Sequence, residues 1–225
     1  MPSTVEDIDA ARMIGATCFH FFDNPAVVRE QVTHITALSV RQGFRVRPWY
    51  VWEPQAKSCS PETFAYHKDI VERVDIFSPN HAELASFFTK STSSAVVFDK
   101  ETIEQQARAF LPSTIRQPLC ILVRCAEHGC FVLSATPRGE EKTAWMPPYH
   151  SPGSKSVVDP TGAGNAFLGG AAMGYLEHGD FFKAAAYGSV AASFAVETVG
   201  LPDIQKCGVK ARLEDYVSRL GMALG

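Results

Sequence analysis

Residues 157–170, Val-Val-Asp-Pro-Thr-Gly-Ala-Gly-Asn-Ala-Phe-Leu-Gly-Gly, constrain the fold more than any other stretch of the chain. A β-branched pair gives way to a loop of small residues and then to a helix-forming run. Gly162 and Gly164 relieve the Cβ clashes of a tight strand-to-helix turn, and the amides of residues 162–165 can then point at one spot at the amino terminus of the helix. An anion such as phosphate fits that arrangement. The same spacing also describes a turn whose task is to pack a helix on a sheet. The loop lacks the Lys-Ser/Thr of a P-loop, and Phe167 occupies the third-glycine position of a dinucleotide turn.

The rest of the chain alternates strand and helix. Thr4 and Asp7 open a short helix to Ile14, Ala16–Phe22 reads as a buried strand, and Asn24-Pro25 starts a helix with Val28, Val32, Ile35 and Leu38 on one face and Gly43 as its carboxyl cap. Strands are expected over Arg45–Trp52 and Val74–Phe77, and helices over Ser60–Val71, Asn80–Phe88 and Lys100–Leu111. Leu119–Arg124 and Cys130–Ser134 flank Cys125-Ala-Glu-His-Gly129, a tight β-β connection. Residues 135–155 are rich in Pro, Gly, Ser and charge and read as a surface excursion, with Trp145 and Tyr149 in packing roles. This order predicts a layered α/β sheet with helices on both faces. Ligands of such sheets sit beyond the carboxyl ends of the strands, where the glycine loop and Asn80 fall.

With 225 residues, of which 46% are hydrophobic, the chain has enough apolar material for one α/β domain spanning residues 1–225. Its formal charge of −3 and lack of basic runs leave no footprint for nucleic acid or anionic lipid, so a small soluble ligand is the expected partner. The acidic, polar amino terminus and the lack of any run of ~18 apolar residues predict no membrane span and a cytoplasmic location. Cys18, Cys59, Cys120, Cys125, Cys130 and Cys207 show no C-x-x-C spacing and read as reduced thiols.

Asn80-His-Ala-Glu83 follows a strand. Asn80 and Glu83 form either a helix capping box or a polar pair for Mg²⁺ held partly through water, and the two roles are compatible. His81, His128 and the other histidines lack ligand or nucleophile spacing, and Asp180, Glu214 and Asp215 read as solvated helix-end charges.

Taken together, Val157–Phe167, the Asn80-x-x-Glu83 pair after Val74–Pro79, and Ile121–Gly129 resemble, in order and spacing, the PfkB (ribokinase-like) family of carbohydrate and nucleoside kinases. The resemblance covers nearly the whole chain. It implies a three-layer α/β/α ribokinase-like sheet corresponding to the carboxyl-terminal two-thirds of the family fold, incomplete at its amino-terminal side and without a lid. It also implies an ATP-dependent phosphotransferase acting on a hydroxyl of a sugar or nucleoside-like acceptor. Gly162, Ala163 and Gly164 would form the anion hole, and Asn80 and Glu83 would organise Mg²⁺. Asp159, Thr161, Arg124, Glu127, Gly129, Ser189 and Gly200 would face the nucleotide, with adenine against Arg124–Gly129 and the helix Ala184–Val196.

Several departures from the family pattern stand out. The family's catalytic Asp falls on Asn165, Pro160 replaces the second hallmark residue, and Ala126 stands where glycine is usual. A hallmark with Asn is similar to that of a divergent fungal branch. An amide cannot take the acceptor's proton, so weak transfer, or a non-catalytic nucleotide-binding or scaffold protein, is the corresponding expectation. The short amino-terminal side predicts an exposed sheet edge able to take a second copy or a partner strand.

Overall fold

The computed structural model describes residues 13–89, 98–203 and 208–223. Cys207 and almost all of the helix expected over Thr4–Ile14 lie outside these residues. Six strands form one sheet in the order β1-β2-β3-β4-β5-β6. They are β1 (Cys18–Asp23), β2 (Trp49–Pro54), β3 (Ile76–Phe77), β4 (Leu119–Arg124), β5 (Cys130–Ala135) and β6 (Glu141–Met146). The first four pair in parallel, with Val51 opposite Ile76 and Ile76 opposite Cys120. The short β4–β5 and β5–β6 connections close by turns, which makes the sheet mixed. Helices α1 (Pro25–Arg41), α2 (Phe64–Val71), α3 (His81–Ser86), α4 (Lys100–Ala109), α5 (Ala163–His178), α6 (Phe181–Ala195) and α7 (Val209–Arg219) complete a three-layer α/β/α architecture.

Two compact units divide the chain. One comprises residues up to Ile121 with 135–140, and the other residues 122–134 with 141 onward. In the first, Asn24 caps α1 by accepting from the amides of Ala26 and Val27, and Pro25 occupies the first turn. Val28, Val32, Ile35 and Leu38 are buried on one face of that helix, as their spacing predicts. Phe64, Phe77, Phe87 and Phe110 pack edge-on or tilted around one another, with Phe64 and Phe110 centroids 4.8 Å apart.

This unit also holds a carboxylate that the sequence does not mark. Asp75 is buried, and Arg47 Nη1 donates to both of its oxygens at 2.9 and 2.8 Å. The Tyr50 amide donates to Oδ2 at 2.7 Å, and the Arg47 guanidinium lies over the Tyr50 ring. Burial pushes the Asp75 carboxyl up, against the lowering effect of Arg47.

In the second unit, α5 and α6 approach closely because glycines line the contact. A Cβ on Gly170 would come within 2.7 Å of the Tyr187 carbonyl, and one on Gly188 within 2.8 Å of the Phe167 carbonyl. Asp180, expected as a solvated helix-end charge, stands at the start of α6 and caps it by accepting from the amides of Phe182 and Lys183.

Two expectations are corrected. Residues 135–155 contain strand β6, because Phe131 gives Trp145 a packing partner at 5.2 Å. Val157 and Val158 are not a strand. Their side chains are exposed, and the Val158 amide bonds to a helix-end carbonyl rather than to a neighbouring strand.

The β4–β5 turn strains the residue at position 126. Ala126 holds φ of 49°, in the left-handed region, and Gly129 holds φ of 85°. A Cβ on Gly129 would sit 2.0 Å from the Met146 carbonyl oxygen. Ala126→Gly should therefore stabilise the protein by roughly 0.5–1 kcal/mol, the strain relieved less the added chain entropy. Gly129→Ala should cost about 3 kcal/mol or more. Urea unfolding measures both.

Arg47→Met leaves a buried carboxylate without its cationic partner and should cost about 3 kcal/mol near neutral pH by the same method. The sign with pH follows from the raised carboxyl. Below its unfolded value the group is protonated in both states and the deficit shrinks; the deficit grows as pH rises through the folded value. A deficit unchanged between pH 4 and pH 7 would contradict this account of Asp75.

Candidate functional site

The glycine loop lies wholly in the second unit and is held from behind. The amides of Val158 and Asp159 both donate to the Val196 carbonyl at the end of α6, at 2.7 and 3.1 Å. Asp159 Oδ1 then accepts from the Thr161 amide at 2.9 Å, an Asx turn that reverses the chain. The Thr161 amide, followed by the Thr161 hydroxyl, holds the Asp159 carboxyl below the ordinary carboxylate range. The Ala163 amide donates to Pro160 O at 3.2 Å.

Gly162 caps α5 in the left-handed conformation, φ 81°. Nothing lies within 4 Å of where its Cβ would stand, so glycine is needed here for backbone conformation rather than for space.

These features leave an open helix end. Gly162 has no side chain to cap α5, and the first turn carries no acidic residue. Gly164 and Asn165 follow in that turn, where no helical carbonyl reaches their amides. The positive end of the helix dipole and two amides therefore serve one spot, which suits an anion. Asn165 is the third residue of the helix, and its side chain is exposed.

The residues assigned to a nucleotide face are distributed unevenly. Arg124 ends β4, and Glu127 lies in the exposed 3-10 turn Ala126–His128, closed by the Cys125 amide on Gly129 O at 2.7 Å. Gly200 follows α6 with φ of 88° and is exposed, four residues after the carbonyl that anchors the loop. Ser189 points inward. It is buried and its hydroxyl donates to Ala185 O at 2.9 Å, in a polar knot with Cys130 and Tyr216. Burial pushes the Tyr216 phenol up to about 12, and its hydroxyl donates to the Pro147 carbonyl.

In the first unit, Asn80 and Glu83 form the capping box. The Glu83 amide donates to Asn80 Oδ1 and the Asn80 amide to Glu83 Oε2, both at 2.8 Å. Glu83 is buried; burial first, and then this carboxylate, push the Cys59 thiol up to about 12. Among the described residues no group of three His, Cys, Asp or Glu is placed to hold a metal. Among the described residues no cysteine is in a disulfide.

Two features escaped the sequence. Glu53, at the carboxyl end of β2, is buried with His20 Nε2 3.6 Å from its Oε2. The signal was an acid directly after the apolar run Tyr50-Val-Trp52. The second feature, His150–Glu197–Arg212, joins residues far apart in sequence, and no local pattern announces it.

Residues 53–205 match the profile described as pfkB family carbohydrate kinase. An uncharacterized protein of Schizosaccharomyces pombe is 30% identical over 211 residues, covering 89% of this chain and 56% of the relative. Protein MAK32 of Saccharomyces cerevisiae is 30% identical over 168 residues, covering 73% and 46%. The chain thus spans about half the length of these relatives. The solved structure of Arabidopsis thaliana ribokinase complexed with ribose and ATP superposes with a TM-score of 0.62 at 18% identity, covering 92% of this chain and 59% of that one. Among the described residues no helix is long and apolar enough to cross a membrane. With the profile spanning most of its length and its fold shared with ribokinase, the chain belongs to the pfkB carbohydrate kinase family, as a divergent member with fungal relatives.

Proposed function

We propose that the protein binds ATP through the glycine loop and works as a weak phosphotransferase on a hydroxyl of a sugar or nucleoside-like molecule. The observation that carries this reading is the uncapped, acid-free amino terminus of α5 behind the left-handed Gly162. That end suits a polyphosphate, so the fit to a nucleotide rests on this chain's own backbone. Gly162, Ala163 and Gly164 steady the transferred phosphoryl, while Asp159 and Thr161 keep the turn in shape. Arg124, Glu127, Gly129 and Gly200 form the nucleotide face, with Ser189 supporting it from within.

Bound Mg-ATP supplies the phosphoryl group and offsets its charge. Magnesium keeps most of its water and needs one or two protein groups, so within the first unit the pair Asn80 and Glu83 would be the residues to hold it, partly through water.

Asn165 sets the rate. Its amide can orient an acceptor hydroxyl by hydrogen bonding but cannot remove the proton. Loss of a positioned base costs ~10²–10⁴ in rate, about 3 to 5 kcal/mol. Transfer survives such a loss because its loose transition state depends mainly on positioning and electrostatics. The same Asn165 favours a second reading, in which the protein binds nucleotide without turnover.

Thermal unfolding with and without Mg-ATP tests binding. Nucleotide at ~100 times its Kd should add about 2.7 kcal/mol, and the absence of any shift at millimolar Mg-ATP would sink both readings. Asn165→Asp separates the two. Transfer or ATP hydrolysis should rise by ~10²-fold or more if the site turns over, and a flat background in both forms would favour binding alone.

A further inference from the structure

The Val196 carbonyl that holds the anion loop belongs to a segment gripped from its other side. Glu197 is forked by Arg212, with Nη1 2.8 Å from Oε1 and Nη2 3.2 Å from Oε2. His150 Nε2 lies 2.9 Å from the same Oε1. Arg212 Nη1 also donates to the buried Ser193 hydroxyl at 3.0 Å, and the guanidinium lies 3.8 Å from the centre of the Phe194 ring. One side chain on α7 thus contacts Ser193, Phe194 and Glu197, around the last turn of α6. A planar, five-donor guanidinium can do this; a lysine cannot fork a carboxylate while stacking on a ring.

We propose that Arg212 is a positioning residue for the anion loop, acting through Glu197 and the Val196 carbonyl on the amides of Val158 and Asp159. The inference rests on the reading of that loop as a phosphate cradle. Arg212 fixes the helix end, the helix end fixes the carbonyl, and the carbonyl sets where the Asp159 turn begins. A shift at the carbonyl is passed to Gly162 through only three intervening residues. Arg212 therefore governs the aim of the Gly164 and Asn165 amides without standing beside them in sequence.

Hydrogen exchange on the full chain, with inorganic phosphate as the binding probe, decides the matter. In Arg212→Gln the amides of Val158 and Asp159 should exchange about tenfold faster, while the Gly179 amide at the far end of α5 keeps its rate. Phosphate binding should weaken by a similar factor. Glu197→Gln should give the same two-amide signature, which guards against a folding defect peculiar to the arginine variant, and Arg212→Lys should fall between wild type and Arg212→Gln. Unchanged exchange at Val158 and Asp159, or a uniform rise that includes Gly179, overturns the proposal. If the unsubstituted protein binds no phosphate, the functional reading fails, while the exchange result still decides whether Arg212 positions the loop.

Discussion

The close approach of α5 and α6 is the constraint on which the rest of the second unit depends. Gly170 and Gly188 bring backbone against backbone, since a Cβ at either would overlap a carbonyl of the facing helix. Gly174 does the same against the Tyr187 ring, where a Cβ would come within 2.7 Å. With the helices held this near, the carboxyl end of α6 stands behind the amino end of α5, and the Val196 carbonyl can accept two amides from the segment entering the turn. The left-handed Gly162 then places the open helix end in solvent. A larger residue in the helix contact would displace the carbonyl and the loop together, so packing and anion geometry are one constraint.

The first unit solves a different problem, the burial of carboxylates. Asp75 is matched by Arg47, whose Nη1 reaches both carboxylate oxygens, and Glu83 by the backbone of its own helix turn. In both places the buried acid is given hydrogen-bond partners, Asp75 from a residue distant in sequence and Glu83 from its own helix turn. The thiols of Cys18 and Cys59, pushed up to about 11 and about 12 by burial, remain protonated and inert. Asp75 and these two thiols are structural.

Much of this was legible in the sequence where the information is local. Asn24-Pro25 with apolar residues every three or four positions gave α1 its start and its buried face, and Asn80-x-x-Glu83 gave a capping box that the structure shows bond for bond. The strand β6 was not legible. Its first three residues, Glu141-Lys142-Thr143, are exposed, so neither alternation nor an apolar run marks it, and its ties to the core come at its far end, where Trp145 meets Phe131 and Met146 is buried. Val157-Val158 erred the other way, because β propensity describes a surface a residue can pack on and says nothing of whether a partner strand is there. Asp75 and the Arg212–Glu197 fork depend on partners 28 and 15 residues away, beyond what a motif can encode.

On the proposed reading the anion site is made of backbone, and that bears on Asn165. The amides of Gly164 and Asn165 are the same whatever side chain the third helical position carries, so replacing a carboxylate by an amide leaves the cradle intact. It also removes a negative charge from beside a bound phosphate. At 4 Å such a repulsion is about 1 kcal/mol in water and about 4 kcal/mol at an effective dielectric of 20, and an exposed side chain lies nearer the lower figure. On that reading an asparagine there would strengthen ground-state binding of an anion while weakening the proton transfer that turnover requires. An Asn165→Asp protein should accordingly hold nucleotide less tightly even as its chemistry quickens. Opposite movement of affinity and rate in one variant is the behaviour expected of a helix end whose first duty is to bind.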